Sequence, residues 1–223
     1  MSNQLEIYTP AHKGLRSKLF TLSAQAGRLD YTNQTALDAF YEGLKSTEAL
    51  TRFHDQWEEE GIHPLLTDRV PGGAEELEEE HRTIEHLLGN LVASVDGIRA
   101  KAADFEKRRS LGLECYLALN RFIRFFLGHI DDEEERIQPA LWRLCTQDEL
   151  ITAVTHMPSS TTPQLVMANL EAIFPAVTID ELTMILTQIN ASASAAGFEG
   201  IMQLAERVLD AEDWKALKLR RGI

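Results

Sequence analysis

Apolar side chains recur at three- and four-residue steps along most of the chain, which is the spacing of one buried face of an α-helix. In one such stretch, Leu37, Phe40 and Leu44 fall on the same face. Within the first two thirds of the chain this pattern predicts four helices, over residues 10–27, 34–60, 75–105 and 111–138. No run of alternating β-branched residues stands between turn signals, so we expect no strand.

Turn-forming residues separate the four stretches, at 27–33, at 67–73 and at about 106–110. Connections this short are typical of helices that lie antiparallel to their neighbours. We therefore expect an all-α fold in which residues 8–145 form an antiparallel up-down four-helix bundle.

The last part of the chain, residues 146–223, has its own helix start signals. Thr146 and Thr178 are each followed three residues later by a glutamate, the spacing of a capping box, and Thr162 precedes a proline. The pattern predicts shorter helices near 147–156, 163–174, 179–190 and 197–219, the last with a break near Asp210. We expect a C-terminal helical extension without a chemical motif. Whether it binds a protein partner stays open.

The composition is that of a globular chain, with 44% hydrophobic and 26% charged residues, which excludes a disordered or fibrous protein. The net charge of −13 disfavours nucleic acid and anionic membranes as partners and is compatible with binding metal cations. Two cysteines cannot build a disulfide framework, and neither a secretory signal nor a membrane-spanning apolar run is visible. We expect a cytoplasmic protein whose cysteines are free.

Two thirteen-residue segments, 54–66 and 129–141, share one pattern at a distance of 75 positions. Seven of the thirteen positions agree, including a histidine, three glutamates, an isoleucine and a proline. Chance is a poor explanation for so many matches in one register. This internal repeat divides the bundle into two helical hairpins.

Each copy of the repeat places a glutamate four residues after a histidine, as His54 with Glu58 and His129 with Glu133. Residues at this spacing lie one turn apart on the same helix face, where both side chains can hold one metal ion. A surface ion pair would explain a single such pair. Two pairs in a shared pattern favour a metal site.

The positions of four histidines relative to the predicted turns extend the site. A predicted connecting turn lies midway between each consecutive pair of four histidines, at positions 12, 54, 81 and 129. The four imidazoles should therefore lie at one level of the bundle, one from each helix. Glu85 lies one turn from His81, and the apolar stripe beside it favours an inward side chain. The candidate metal ligands are therefore His12, His54, Glu58, His81, Glu85, His129 and Glu133.

The remaining histidines are weaker candidates. His63 aligns with Gln138 in the repeat and is interpreted as structural; His86 should face outward; and His156 should contact a helix C-terminus. Imidazoles and carboxylates without thiolates suit iron, manganese or zinc, and carboxylates that can bridge favour two metal ions.

The order and spacing of these residues resemble the hemerythrin-like, HHE cation-binding proteins over about residues 8–145. The matching features are a histidine on the first and third helices and His-x-x-x-Glu on the second and fourth, the latter ending in Ile-x-Pro. The resemblance implies a non-haem di-iron centre, oxo- or hydroxo-bridged, with zinc or manganese as alternatives. It implies ligation by His12, His54, Glu58, His81, His129 and Glu133, with the two glutamates bridging.

Two positions depart from the oxygen-carrying members of that family. Glu85 stands where they carry a second histidine on the third helix, and Glu133 follows its histidine by four residues where they place an aspartate five residues on. Glu134 is the alternative at the longer spacing.

The ligand charge bears on function. Three carboxylates and a hydroxide would cancel the charge of two ferrous ions and stabilise the ferric state. We therefore expect a protein that reacts with or senses O2, peroxide or redox state, with a di-iron oxidoreductase or peroxide-consuming activity open. An iron-sensing, iron-storage or partner-binding module is the alternative, and a structural zinc or metal-free bundle is a third. The sequence indicates no organic substrate.

Overall fold

The computed structural model describes residues 5–101 and 104–222, and within these ranges the regular structure is entirely helical. The expected all-α fold is confirmed. The first hairpin pairs α1 (Thr9–Arg28) with α2 (Gln34–Trp57), which a π-helical turn (Glu58–Ile62) and α3 (His63–Thr67) prolong. The second pairs α4 (Glu75–Arg99) with α5 (Phe105–Asp132), prolonged by a π-helical turn (Glu133–Ile137) and α6 (Gln138–Leu144).

The two π-helical turns show that the sequence repeat is also a structural repeat. Each begins at the glutamate of a His-x-x-x-Glu pair and ends two residues before a proline, Pro64 or Pro139. A proline lacks the N–H group and its ring clashes with the carbonyl four residues earlier, so an ordinary α-helical turn cannot continue there. The wider turn avoids this conflict, and such turns often occur at functional sites.

The third connection of the bundle differs from the sequence-based expectation. The turn was expected at about 106–110, but α5 already begins at Phe105. The Asp104 side chain accepts a hydrogen bond from the Lys107 N–H and caps the helix. The charged residues that follow are good helix formers, so their polarity was wrongly interpreted as a loop signal. The preceding helix correspondingly ends at Arg99, earlier than the expected 105.

The bundle interior has two apolar regions. The larger fills the middle of the bundle with leucines, isoleucines and phenylalanines from α1, α2, α4 and α5. The smaller closes the end at which α1 begins and α2 ends, and it includes Tyr8, Ile62 and Leu141. The candidate histidines lie at this end, so the site is enclosed by apolar side chains on both sides.

Between residues 146 and 222 the extension has five helices, and its start signals are confirmed. Thr146 and Thr178 each form a complete capping box, Thr162 caps its helix, and Asp210 interrupts the last predicted helix by capping a new one. The helices are α7 (Gln147–Val154), α8 (Pro163–Ile173), α9 (Ile179–Ser192), α10 (Ala195–Val208) and α11 (Ala211–Arg221), with a 3-10 turn (Phe174–Ala176) after α8.

The extension packs directly on the bundle through α8 and α1. A Cβ atom at Gly14 would lie 3.2 Å from the backbone of Ala172, so the missing side chain permits this close approach. Ala172 belongs to the bundle core, whereas Phe174, Leu186 and Leu204 belong to a separate apolar cluster of the extension. The boundary between residues 145 and 146 stays a prediction.

Both cysteines are free, as expected. Cys115 is buried in α5, and burial raises the pKa of its thiol to about 11, while Cys145 follows α6 and is partly exposed. Among the helices of residues 5–101 and 104–222, none combines the length and apolar character that crossing a lipid bilayer requires.

A pair of glycines in the bundle helices provides a test of the packing between the first loop and α5. A Cβ atom at Gly112 would lie 2.5 Å from the buried Tyr31 ring, whereas one at Gly89 would meet no atom within 4 Å. At Gly112 the cost of overpacking outweighs the gain in helix propensity, whereas at Gly89 only the gain in helix propensity applies. We expect Gly112→Ala to lower the free energy of unfolding by about 2 kcal/mol and Gly89→Ala to raise it by up to about 1 kcal/mol, as measured by urea denaturation. Equal effects would contradict the close Tyr31 contact.

Candidate metal centre

The four histidines expected at one level of the bundle lie side by side. The His12 and His54 ring centroids are 4.9 Å apart, and those of His81 and His129 are 5.0 Å apart, each pair meeting edge to face. All four side chains are buried. The structure thus divides the imidazoles into a first pair, His12 with His54, and a second pair, His81 with His129.

Glu58 and Glu133 each place their two oxygens against different histidine pairs. Glu58 Oε1 is 3.1 Å from His54 Nε2, and its Oε2 is 3.1 Å from His81 Nε2. Glu133 Oε2 is 3.3 Å from His12 Nε2, and its Oε1 is 3.2 Å from His129 Nε2. Both carboxylates therefore lie between the two pairs, with one oxygen available to each.

These distances fit two metal ions. Donors about 2.1 Å from a common ion are about 3 Å apart when they subtend a right angle. The donor atoms of His12, His54, Glu58 and Glu133 all lie within 4.8 Å of one another, and so do those of Glu58, His81, His129 and Glu133. The carboxylate oxygens are buried, and despite the short contacts none has a properly aligned hydrogen-bond partner. Buried donors that converge without pairing are typical of ligands aimed at a shared cation.

The buried carboxylates shift the pKa values of His12, His81 and His129 upward. Burial alone would lower the pKa of His81, but the Glu58 carboxylate, together with Asp55 and Glu59, outweighs this effect and raises it to about 10. Glu133 likewise overcomes burial at His129 and raises its pKa to about 9. Burial would raise the pKa of Glu58, but His54 and His81 hold it well below the ordinary value. Without a metal ion, protonated imidazoles compensate the two carboxylates, so metal binding must displace these protons.

Three further carboxylates hold the outer nitrogens of three of the four histidines, a role that was not predicted from the sequence. Glu134 Oε1 is 2.9 Å from His12 Nδ1, Glu59 Oε1 is 3.1 Å from His81 Nδ1, and Glu80 Oε2 is 2.8 Å from His129 Nδ1. A carboxylate in this position fixes the ring orientation and leaves Nε2 free to bind a metal. The repeat contained the signal, because Glu59 and Glu134 occupy equivalent positions directly after Glu58 and Glu133.

Glu134 also corrects the alternative ligand assignment at the five-residue spacing. Its carboxylate contacts the outer nitrogen of His12 and forms two hydrogen bonds with Arg16, of 2.8 and 3.0 Å. Burial opposes ionisation, but His12 and Arg16 lower the pKa of Glu134 to about 2. The structure therefore places Glu134 behind His12 and gives the inner position to Glu133.

The inward orientation expected of Glu85 is wrong. Its side chain is 54% exposed, and its Oε1 lies 2.8 Å from Arg52 Nη1 on the bundle surface. The residue lies one turn from His81 on the helix, but on the border of the apolar stripe, where a small rotation decides between interior and solvent. The available partner Arg52 is on the solvent side, and burying the Glu85 carboxylate away from that partner would cost free energy.

The weaker histidine candidates have distinct surroundings. His86 is exposed and contacts Asn90, as expected. His156 follows the C-terminus of α7, where its backbone N–H donates to the Ala153 carbonyl, and its Nε2 lies 3.2 Å from Glu60 Oε2. His63 is buried and stacks on His81, with ring centroids 5.2 Å apart, and burial lowers its pKa below the ordinary value.

Aromatic side chains enclose the first histidine pair. Tyr8 stacks on His12 with ring centroids 5.4 Å apart, and Trp57 stacks on His54 at 6.0 Å. A cavity of about 240 Å³ reaches His54 between the bundle and the extension, and its lining includes Phe53 and Ile173. The extension thus forms one wall of a largely apolar space beside the site.

A family model described as the hemerythrin HHE cation binding domain matches residues 3–141. The chain belongs to this hemerythrin family. The matched segment contains both copies of the repeat, all four helices of the bundle and every histidine and glutamate of the two groups of converging donors. No curated protein matches the chain. Cation binding by the buried histidines and glutamates of this hemerythrin domain therefore agrees with both its geometry and its family.

Proposed function

We propose that the protein holds a non-haem di-iron centre that changes oxidation state on reaction with O2 or peroxide. The observation that carries this proposal is the division of each carboxylate between the two histidine pairs. Glu58 and Glu133 each offer one oxygen to either pair at 3.1–3.3 Å. Two bridging carboxylates would hold two ions close together and couple them.

The number of donors supports a reactive centre. Each position has two imidazoles and two carboxylate oxygens, four donors in all. Four donors saturate a tetrahedral zinc ion but leave about two positions free at a six-coordinate iron. Iron supplies reversible one-electron chemistry and affinity for oxygen-derived ligands. The chain contributes a buried set of donors, and Glu59, Glu80 and Glu134 hold the outer nitrogens of three of the four histidines.

The exposed position of Glu85 changes the charge argument. With two carboxylates and one hydroxide, the charge of two ferrous ions is not fully cancelled. The expected stabilisation of the ferric state by a third carboxylate therefore has no support, and oxygen binding and oxidation both remain compatible with the site. The apolar cavity beside His54 favours entry of a small apolar molecule such as O2.

Reconstitution with Fe²⁺ under anaerobic conditions tests the proposal. We expect about two iron ions per chain by elemental analysis, followed by new near-ultraviolet and visible absorption when O2 or hydrogen peroxide is admitted. Protein loaded with Zn²⁺ is the control and should stay without visible absorption under the same treatment.

Two iron ions without any spectral change on exposure to either oxidant would contradict a reactive centre and favour an iron-storage or structural role. Stoichiometric retention of zinc in preference to iron would favour a structural zinc site. A decay of the new absorption with catalytic loss of peroxide would establish peroxide consumption as the activity.

A further inference from the structure

His63 is a buried histidine that the proposed ligand set does not use. Its side chain is only 2% exposed, and neither ring nitrogen has a hydrogen-bond partner among the described residues. Its ring lies against the face of His81, with an angle of 23° between the ring planes. A buried polar ring without a partner costs free energy, whereas a phenyl ring would fill the same space without that cost.

The internal repeat shows what an equivalent residue does when its role is structural. Gln138 occupies the same repeat position in the second hairpin. Its side-chain oxygen accepts hydrogen bonds from the backbone N–H groups of Ile7 and Tyr8, at 2.8 and 3.3 Å, and its amide donates to Glu6 at 3.0 Å. Gln138 thus fastens the N-terminal segment, whereas the His63 side chain makes no such hydrogen bond within residues 5–101 and 104–222. The two copies of the repeat thus have the same helical backbone but place side chains with different hydrogen-bonding roles at this position.

We propose that the His63 imidazole donates a hydrogen bond to a small anionic ligand bound at the second histidine pair, on the face of His81 that His63 covers. The inference rests on the proposed function, because it requires iron with a free coordination position at His81 and His129. A neutral imidazole has one N–H donor and one acceptor, so it can orient such a ligand without displacing a metal ligand. His63 is therefore a positioning residue for the ligand and is not a ligand of the metal.

The arrangement distinguishes the two halves of the centre. Beside the first pair, the side chain stacked on His12 is the phenol of Tyr8, and an apolar cavity reaches His54. Beside the second pair, the stacked side chain is the imidazole of His63. The half held by His81 and His129 is thus the one that offers an imidazole to an anion.

Azide binding to the oxidised, iron-loaded full-length protein tests the inference. Azide is a small anion that binds ferric iron, and its adduct is followed by its absorption. The test variants are His63→Phe, which keeps a stacking ring and removes both nitrogens, and His63→Gln, which restores an amide donor. His86→Phe is the matched control, because that histidine is exposed. Iron content and thermal stability are measured for each variant.

We expect all variants to retain two iron ions, and His63→Phe to be at least as stable as the wild type because it removes unpaired buried nitrogens. Azide should bind at least about tenfold more weakly to His63→Phe, since a hydrogen bond to a charged group is lost. His63→Gln should recover most of the affinity, and His86→Phe should match the wild type.

Equal azide affinity of His63→Phe and wild type would show that His63 only packs against His81, and would overturn the inference while leaving the di-iron proposal intact. Equal weakening by Phe and Gln would assign the effect to shape and overturn it as well. Loss of iron in His63→Phe would make His63 a metal ligand, contrary to the inference. A wild-type protein without two iron ions or without an azide adduct would refute the proposed function and, with it, this role of His63.

Discussion

Replacing Glu133 by alanine should lower the bound iron from about two ions to less than one per chain. Glu133 belongs to both groups of converging donors, so its removal takes one oxygen from each metal position. Each position would keep only two imidazoles and one oxygen of Glu58. The same change removes the carboxylate that lies 3.3 Å from His12 Nε2 and 3.2 Å from His129 Nε2, so the positive charge of these two imidazoles loses its counter-charge. Elemental analysis after gel filtration measures the effect.

Glu85→Ala is the matched control for this experiment. Glu85 follows His81 by four residues, the same spacing by which Glu133 follows His129, but it is exposed and paired with Arg52. A loss of one surface ion pair should leave the iron content at two and change stability by less than about 1 kcal/mol. Equal loss of iron in both variants would show that sequence spacing, and not burial, decides which glutamates bind metal.

Removing the metal should lower the melting temperature by about 10 °C or more. One ion present at a hundred times its dissociation constant adds about 2.7 kcal/mol of stability, so two ions add about 5 kcal/mol. In a domain of this size each kcal/mol corresponds to a shift of about 2–4 °C. Calorimetry of iron-loaded and chelator-treated protein checks this. If protein with two bound ions and metal-free protein gave the same melting curve, the assignment of a buried two-metal site would be contradicted.

The difference in stability between the iron-loaded and the metal-free protein should also widen as pH rises from about 6.5 to 9. The pKa values of His81 and His129, about 10 and about 9, lie above the ordinary 6.5. Their protonation therefore stabilises the metal-free protein fully below pH 6.5, and this contribution is lost as pH rises through 9 and 10. Glu58 and Glu133, with lowered pKa values, stay ionised throughout this range. Metal binding becomes easier with fewer protons to displace. A difference that narrows with pH would contradict this linkage.

Much of the fold could be predicted because local signals and packing agree. The helix caps at Thr146, Thr178 and Asp210 depend on short-range hydrogen bonds that a few residues of sequence define. The placement of His12 and His129 at the same level could be predicted from the turns alone, because residues equally far from a connecting turn lie side by side in antiparallel helices. The third turn failed because residues 106–110 are polar without being helix breakers.

The site was less predictable where side-chain direction or long-range contact decides. Glu85 and Glu133 have the same spacing from a histidine, yet one reaches Arg52 in solvent and the other reaches His12 from another hairpin. Spacing on one helix cannot distinguish these outcomes, because the choice depends on partners elsewhere in the fold. Glu80, which contacts His129, likewise depends on a contact 49 residues away.

Glu58 and Glu133 are proposed to bridge two metal ions, and an anomalous difference map at the iron absorption edge tests this arrangement most directly. Crystals of the iron-loaded protein should show two peaks about 3.5 Å apart. One peak should contact His12 and His54, the other should contact His81 and His129, and both should contact the two glutamates. A single peak, or peaks outside these six side chains, would contradict the di-iron assignment.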